Sequence, residues 1–153
     1  MYSILLVLHS WIRWLALAAG VAATIAAVMD RGSATGEKTA VDRLGLVLII
    51  SLDIQLVLGV LLYFGVSPLM REIRANFGGS MRESAARFYA VEHIGTMLLA
   101  VVFAHVGRVV ARSMRTPAAK RTRLILHYGI ATLFMIAGTP WPGRPGGRPL
   151  FRV

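Results

Sequence analysis

Four apolar stretches, at 3–29, 44–67, 88–111 and 124–139, limit the fold of this 153-residue chain more than any other feature. A helix needs about 20 residues to cross a ~30 Å hydrocarbon core. The first three stretches are long enough, and the fourth is completed at the interface by Thr139, Pro140 and Trp141. Inside lipid every backbone N–H and C=O must be paired within the chain, so apolar spans of this length predict helices. The expected fold is an all-α membrane protein: a four-helix transmembrane bundle over 1–139, followed by a Pro/Gly-rich basic tail over 140–153. Charged residues are 16% of the chain, against ~25% in soluble domains, which leaves no room for a second, soluble domain.

The net charge of +10 points to lipid rather than nucleic acid, because the arginines cluster between apolar segments, where they meet anionic headgroups and set topology. Nucleic acid is therefore not an expected partner; the bilayer is. The absence of cysteine excludes disulfides, iron–sulfur clusters, thiolate metal sites and covalent cofactor attachment through C-x-x-C-H. The first apolar run is longer than a signal-peptide core and lacks a basic n-region, so it is expected to be retained as a helix.

Residues 30–38 read as a short polar turn. In the second connection, 69–77 reads as a surface amphipathic turn or two stopped by Gly78-Gly79, and Ser80-Met-Arg-Glu83 has the form of a capping box. The tail is too rich in Pro and Gly for regular structure. Nine basic residues fall on one side: Arg31, Lys38, Arg43, Arg108, Arg112, Arg115, Lys120, Arg121 and Arg123. Seven fall on the other: Arg71, Arg74, Arg82, Arg87, Arg144, Arg148 and Arg152. The third connection is free of acids, which places its side in the cytoplasm and both termini on the periplasmic side of a bacterial inner membrane.

All four histidines lie in these apolar stretches. Histidine is costly in a bilayer and is the commonest side-chain metal ligand. At ~1.5 Å per residue, His9 lies ~9 Å below the outer end of the first helix and His93 ~8–10 Å below that of the third. His105 lies ~10 Å above the inner end of the third helix and His127 ~5 Å into the fourth, and the two levels are ~18 Å apart. Two stacked pairs, His9 with His93 and His105 with His127, would hold two b-type haems. Small residues supply room for a macrocycle or a second helix: Ala16, Gly20, Ala23 and Ala27 follow His9 and Arg13 on one face, and Ala100, Ala104, Gly107 and Ala111 follow His93 and Met97 on another. Gly59 falls near the outer histidine level. At ~100° per residue His93 and His105 are about 120° apart around their helix, which a single haem would also satisfy. The plainer alternatives are histidines that only bond helix to helix, and an interfacial His127.

Arg13 and Asp53 lie at similar depth with opposite sign, which predicts a buried ion pair beside Gln55; Arg13 could also hold a haem propionate, and Asp53 could serve proton or quinone chemistry. Glu92 could orient His93 or accept a quinol proton. Trp11, Trp14, Tyr63, Tyr89 and Trp141 read as interfacial belt residues.

Several stretches together carry a resemblance: His9-Ser-Trp-Ile-Arg-Trp14, Gln55-Leu-Val-Leu-Gly-Val-Leu-Leu-Tyr-Phe64, Arg87-Phe-Tyr-Ala-Val-Glu-His93, Ala104-His-Val-Gly-Arg108, Tyr128-Gly-Ile-Ala131 and Pro140-Trp-Pro142. Over nearly its whole length the chain resembles a family of small bacterial four-helix membrane proteins described as cytochrome b-like, and it is more distantly similar to the diheme cytochrome b-561 class. The resemblance implies a haem role for His9, His93 and His105 and gives His127 less support. The chain departs from the diheme class in having no histidine in its second apolar stretch and an unusual spacing in the third. The expected function is electron transfer between quinone and a redox partner. Two alternatives stay open: a cofactor-free subunit of a larger respiratory or photosynthetic complex, docked through its tail at Leu150 and Phe151, and a metal or proton transporter.

Overall fold

A computed structural model describes residues 1–30 and 39–151. Residues 31–38 of the polar turn expected at 30–38, with Arg31 and Lys38, and Arg152 of the tail lie outside the described residues. Helix α1 (Tyr2–Met29) is followed by α2 (Ala40–Val60), which runs on through a π-helical turn at Leu61–Val66. Three short helices cross the end of the molecule that also carries Tyr2 and the tail, termed the outer end: α3 (Pro68–Ala75), α4 (Phe77–Ser80) and α5 (Ser84–Arg87). A second π-helical turn, Phe88–Glu92, leads into α6 (His93–Ser113), and α7 (Pro117–Gly138) ends the helical part. There is no strand among the described residues.

Three helical runs are long and apolar enough to cross a membrane: Tyr2–Met29, Ala40–Val66 and Ser84–Ser113. Helix α7 is not among them, because Lys120, Arg121 and Arg123 occupy its first turns. The 15 residues from 124 to 138 that remain reach only ~22 Å, short of a ~30 Å core.

Helix α1 packs against α2 and α7, and α6 packs against α7 and α2, so α1 and α6 lie diagonally across the interior. The small-residue stripes make this approach close. Ala16, Gly20, Ala23 and Ala27 of α1 are buried, as are Ala100, Ala104, Gly107 and Ala111 of α6. A Cβ on Gly20 would lie 2.7 Å from both Met135 Cε and Thr132 Oγ1 of α7, and one on Gly107 would collide with the Cβ of His127. Gly45 of α2 receives the ring of Tyr128, which is only 1% exposed.

The basic residues at the inner end close helix termini. Thr39 and Asp42 form a capping box at the start of α2, and Lys120 Nζ lies 3.2 Å from Asp42 Oδ1. Arg108 donates to the Asp42 carbonyl at 3.3 Å, and Arg121 donates to the carbonyl of Val28 in the last turn of α1.

The outer connection differs from its sequence reading in two places. Helix α3 does bury an apolar face through Met70 and Ile73, but it ends at Asn76, and Gly78 and Gly79 lie inside α4. Asn76 ends one helix and caps the next by accepting from Gly79 N at 3.2 Å. The capping box at Ser80–Glu83 does not form: Glu83 itself is the N-cap residue of α5, and Ser80 Oγ donates to Ile73 O instead.

Replacing Gly107 by alanine should cost ~1–3 kcal/mol through overpacking against His127. Gly78, whose Cβ would meet nothing, should tolerate alanine within ~0.5 kcal/mol. Denaturation of the two variants in mixed detergent–SDS micelles checks the contrast.

Candidate functional site

Toward the outer end the small-residue stripes give way to His9 and Arg13 on α1 and to His93 and Met97 on α6. These side chains are too bulky for backbone contact, and a cavity of about 170 Å³ opens between the helices. Its walls include His9, Arg13, Gln55, Gly59, Tyr89 and His93. The two imidazoles stand across it with ring centroids 6.3 Å apart and planes at 72°. Two imidazoles sharing one metal at ~2.0–2.1 Å per nitrogen would have their centres ~6 Å apart.

The two ring nitrogens of His93 have definable roles. Nδ1 of His93 lies 2.7 Å from the carbonyl of Gly138 at the end of α7. A carbonyl only accepts, so Nδ1 carries the hydrogen and Nε2 keeps its lone pair, as in an oriented metal ligand. Nδ1 of His9 and Oε1 of Gln55 are buried without a hydrogen-bond partner. Such atoms cost ~1–3 kcal/mol each unless a ligand satisfies them. A Cβ on Gly59 would touch His9 Cε1 at 3.5 Å, so glycine there leaves the imidazole its room. Both π-helical turns border the cavity, and such turns are frequent at functional sites. One supplies Tyr63, whose hydroxyl donates to Ala90 O at 2.8 Å; the other supplies Tyr89, whose ring centroid lies 6.2 Å from that of His93.

The tail has no regular structure but is tightly held. The Leu150 carbonyl accepts from Arg13 Nη2 at 2.8 Å and from Trp14 Nε1 at 2.9 Å. Phe151 stacks on Trp14 and tilts against Trp11, each at 5.5 Å. Arg148 bonds the Tyr89 hydroxyl at 3.0 Å and lies over its ring, and it lines the cavity with Arg13. The tail therefore lies against α1 and Tyr89 beside the cavity, to whose wall it contributes Arg148.

The structure brings His9 and His93 together but does not do the same for His105 and His127. His127 packs on Gly107 and near Phe103, at a ring distance of 6.0 Å. His105 lies two residues before Gly107, ~200° around α6, where its Nε2 meets Asp53 Oδ1 of α2 at 3.3 Å. The second histidine pair is thus replaced by contacts on opposite flanks of α6. The Arg13–Asp53 pair does not form either, because Asp53 points outward and Arg13 reaches the tail. Glu92 pairs with Arg87 at 2.8 Å, so Gly138 and not Glu92 orients His93. The expectation for the aromatic residues needs extending: Tyr63 and Tyr89 line the cavity, and Trp11 and Trp14 clamp the tail. Arg148 and the Gly138 carbonyl carried no sequence signal, whereas Tyr89 sits one turn before His93 and shares its face.

No three His, Cys, Asp or Glu side chains converge among the described residues. The donor set is two imidazoles, which fits a group that brings its own in-plane donors, such as a haem. The enclosed volume is below the ~300–1,000 Å³ of ordinary ligand pockets, and the rim at Val60 and Leu98 is exposed, so such a group would use the open side of the cavity. No family model matches the chain, and neither curated proteins nor solved structures give a match.

Removing the Arg13 side chain should release the tail. Losing a charged hydrogen bond of about 1.5 kcal/mol should raise tail opening, and cleavage between 142 and 148 by an added protease, roughly tenfold. Asp53→Ala should leave the cleavage rate unchanged; equal sensitivity of both variants would restore the Arg13–Asp53 pair.

Proposed function

We propose that the protein is a b-type haem cytochrome of the bacterial inner membrane, carrying electrons between quinone and a redox partner protein. In this reading α1, α2, α6 and α7 form a four-helix transmembrane bundle, with the acid-free basic connection between α6 and α7 in the cytoplasm. The observation that carries the reading is the His9–His93 pair, two imidazoles 6.3 Å apart across a cavity near the outer end.

His9 and His93 would hold the haem, and a haem so held supplies reversible one-electron exchange at its iron. The protein residues prepare that site. Gly138 fixes the tautomer and orientation of His93 through Nδ1. Gly59 keeps the wall beside His9 open. Arg13 and Arg148 place positive charge at the mouth, where carboxylate groups of a ligand would be balanced. The tail, pinned by Trp14 and Tyr89, limits access of water. With His105 and His127 on opposite flanks of α6, the reading narrows from two haems to one. The cofactor-free reading draws on the tail, whose Leu150 and Phe151 contact α1 of the same chain and stay 40% and 59% exposed.

A reduced-minus-oxidised visible spectrum with pyridine haemochrome quantification should give one haem b per chain. His9→Ala and His93→Ala should each abolish it, and His127→Ala should retain it. A well-folded, colourless preparation made with ample haem would overturn the reading in favour of a cofactor-free subunit.

A further inference from the structure

We propose that the Asp53–His105 dyad is the binding site for the headgroup of a lipid-soluble quinone or quinol, entered from the hydrocarbon between α2 and α6. The assignment deepens the cytochrome reading and rests on it for its purpose, though not for its geometry.

Asp53 lies 13 residues into the helical run Ala40–Val66, ~20 Å from its start and near its middle. In the transmembrane reading that depth lies within the hydrocarbon, away from water and phospholipid headgroups. Yet the Asp53 side chain is 51% exposed and that of His105 42% exposed. A carboxylate facing lipid tails at a helix centre costs ~2.5–3.5 kcal/mol. Its neighbours on the same surface are apolar: Ile50, Ile54 and Val57 of α2 and Val102 and Val106 of α6 are all exposed. The dyad is thus a polar spot within an oily groove.

Its hydrogen-bonding pattern is defined. Nδ1 of His105 lies 3.0 Å from the Val101 carbonyl, which only accepts, so Nδ1 carries the hydrogen. The neutral ring then has only a lone pair at Nε2, and the facing Asp53 oxygen is an acceptor too. Their 3.3 Å approach is attractive when the pair holds one proton between them. With that proton held between Nε2 and Oδ1, the pair presents carboxylate acceptors to an incoming hydroxyl, and an inserted carbonyl oxygen can take the shared proton from it. Lipid tails cannot use them; a ring bearing hydroxyl or carbonyl oxygens and soluble in the hydrocarbon can. The dyad also adjoins the histidine cavity: Val101, whose carbonyl fixes His105, lines that cavity, and so does Leu52, the residue before Asp53. A headgroup held here is ~18 Å along α6 from His93, and Asp53 is ~9 Å along α2 from Gly59, the residue beside His9.

The test uses the full chain in lipid nanodiscs, with decylubiquinone as the equilibrium probe and an azido-substituted short-chain quinone for photolabelling. Asp53→Leu and His105→Leu remove lipid-facing polar groups and should insert at least as well as the parent. Each should weaken decylubiquinone binding at least tenfold, with the double variant within threefold of either single one, while His127→Leu keeps the parent affinity. The photolabel should fall on 50–57 and 101–109. Unchanged affinity in both leucine variants overturns the proposal. So does a label confined to α1, or loss of a dimer in Asp53→Leu with quinone binding intact, which would make the dyad a contact between copies. Haem content read on the same samples separates the two claims. Asp53-dependent binding without haem sustains this site and defeats the cytochrome reading; haem without Asp53-dependent binding does the reverse.

Discussion

The close approach of helix backbones over one half of the molecule, and its impossibility over the other, underlies the rest of the structure. Where alanine and glycine line α1 and α6, α7 can press Tyr128, Thr132 and Met135 inward with almost no residual exposure. In a membrane such contact relies on dispersion and shape, because apolar side chains gain nothing by leaving lipid tails for one another. The stripe ends abruptly at Arg13 on one helix and Met97 on the other. From there outward the same helix directions carry large and polar side chains, and the interior becomes a cavity in place of a core.

The outer end compensates with a different kind of order. Two π-helical turns shift the phase of α2 and of the approach to α6, which brings Tyr63 and Tyr89 to the cavity wall. Backbone carbonyls take up the polar atoms: Gly138 for His93, Ala90 for Tyr63 and Leu150 for Arg13 and Trp14. The Arg87–Glu92 pair lies on the surface, where its contribution is at most ~1 kcal/mol.

The helices and their packing faces were largely legible in the sequence. The stripes of Ala and Gly at heptad-like spacing mark the buried faces of α1 and α6, and the apolar run sets α1 within a residue at either end. Helix α7, by contrast, begins seven residues before its apolar stretch, because Pro117 at its N-terminus and Lys120, Arg121 and Arg123 are helical too. The outer histidines follow from the same rule, because His9 and His93 continue those stripes. His105 does not: it follows Ala104 of the stripe by one residue, ~100° away, so matched depth alone was misleading. Depth also misled for Arg13 and Asp53, since Asp53 follows the buried Leu52 and must turn outward. The tail was unreadable for another reason. Its hold depends on the donors Arg13 and Trp14 and on aromatic faces more than a hundred residues away in sequence, and neither leaves a local pattern.

That separation has a bearing on how the molecule is made. Arg13 and the Leu150 carbonyl are 137 residues apart. At synthesis rates of ~5–20 residues per second, roughly 7–27 s pass between the emergence of the one and of the other. Throughout that interval α1 stands without the segment that caps it, and the chamber beside His9 is uncovered on that flank. Closure of that flank is therefore a late event in biogenesis, whereas the rim at Val60 and Leu98 stays open once the helices have packed.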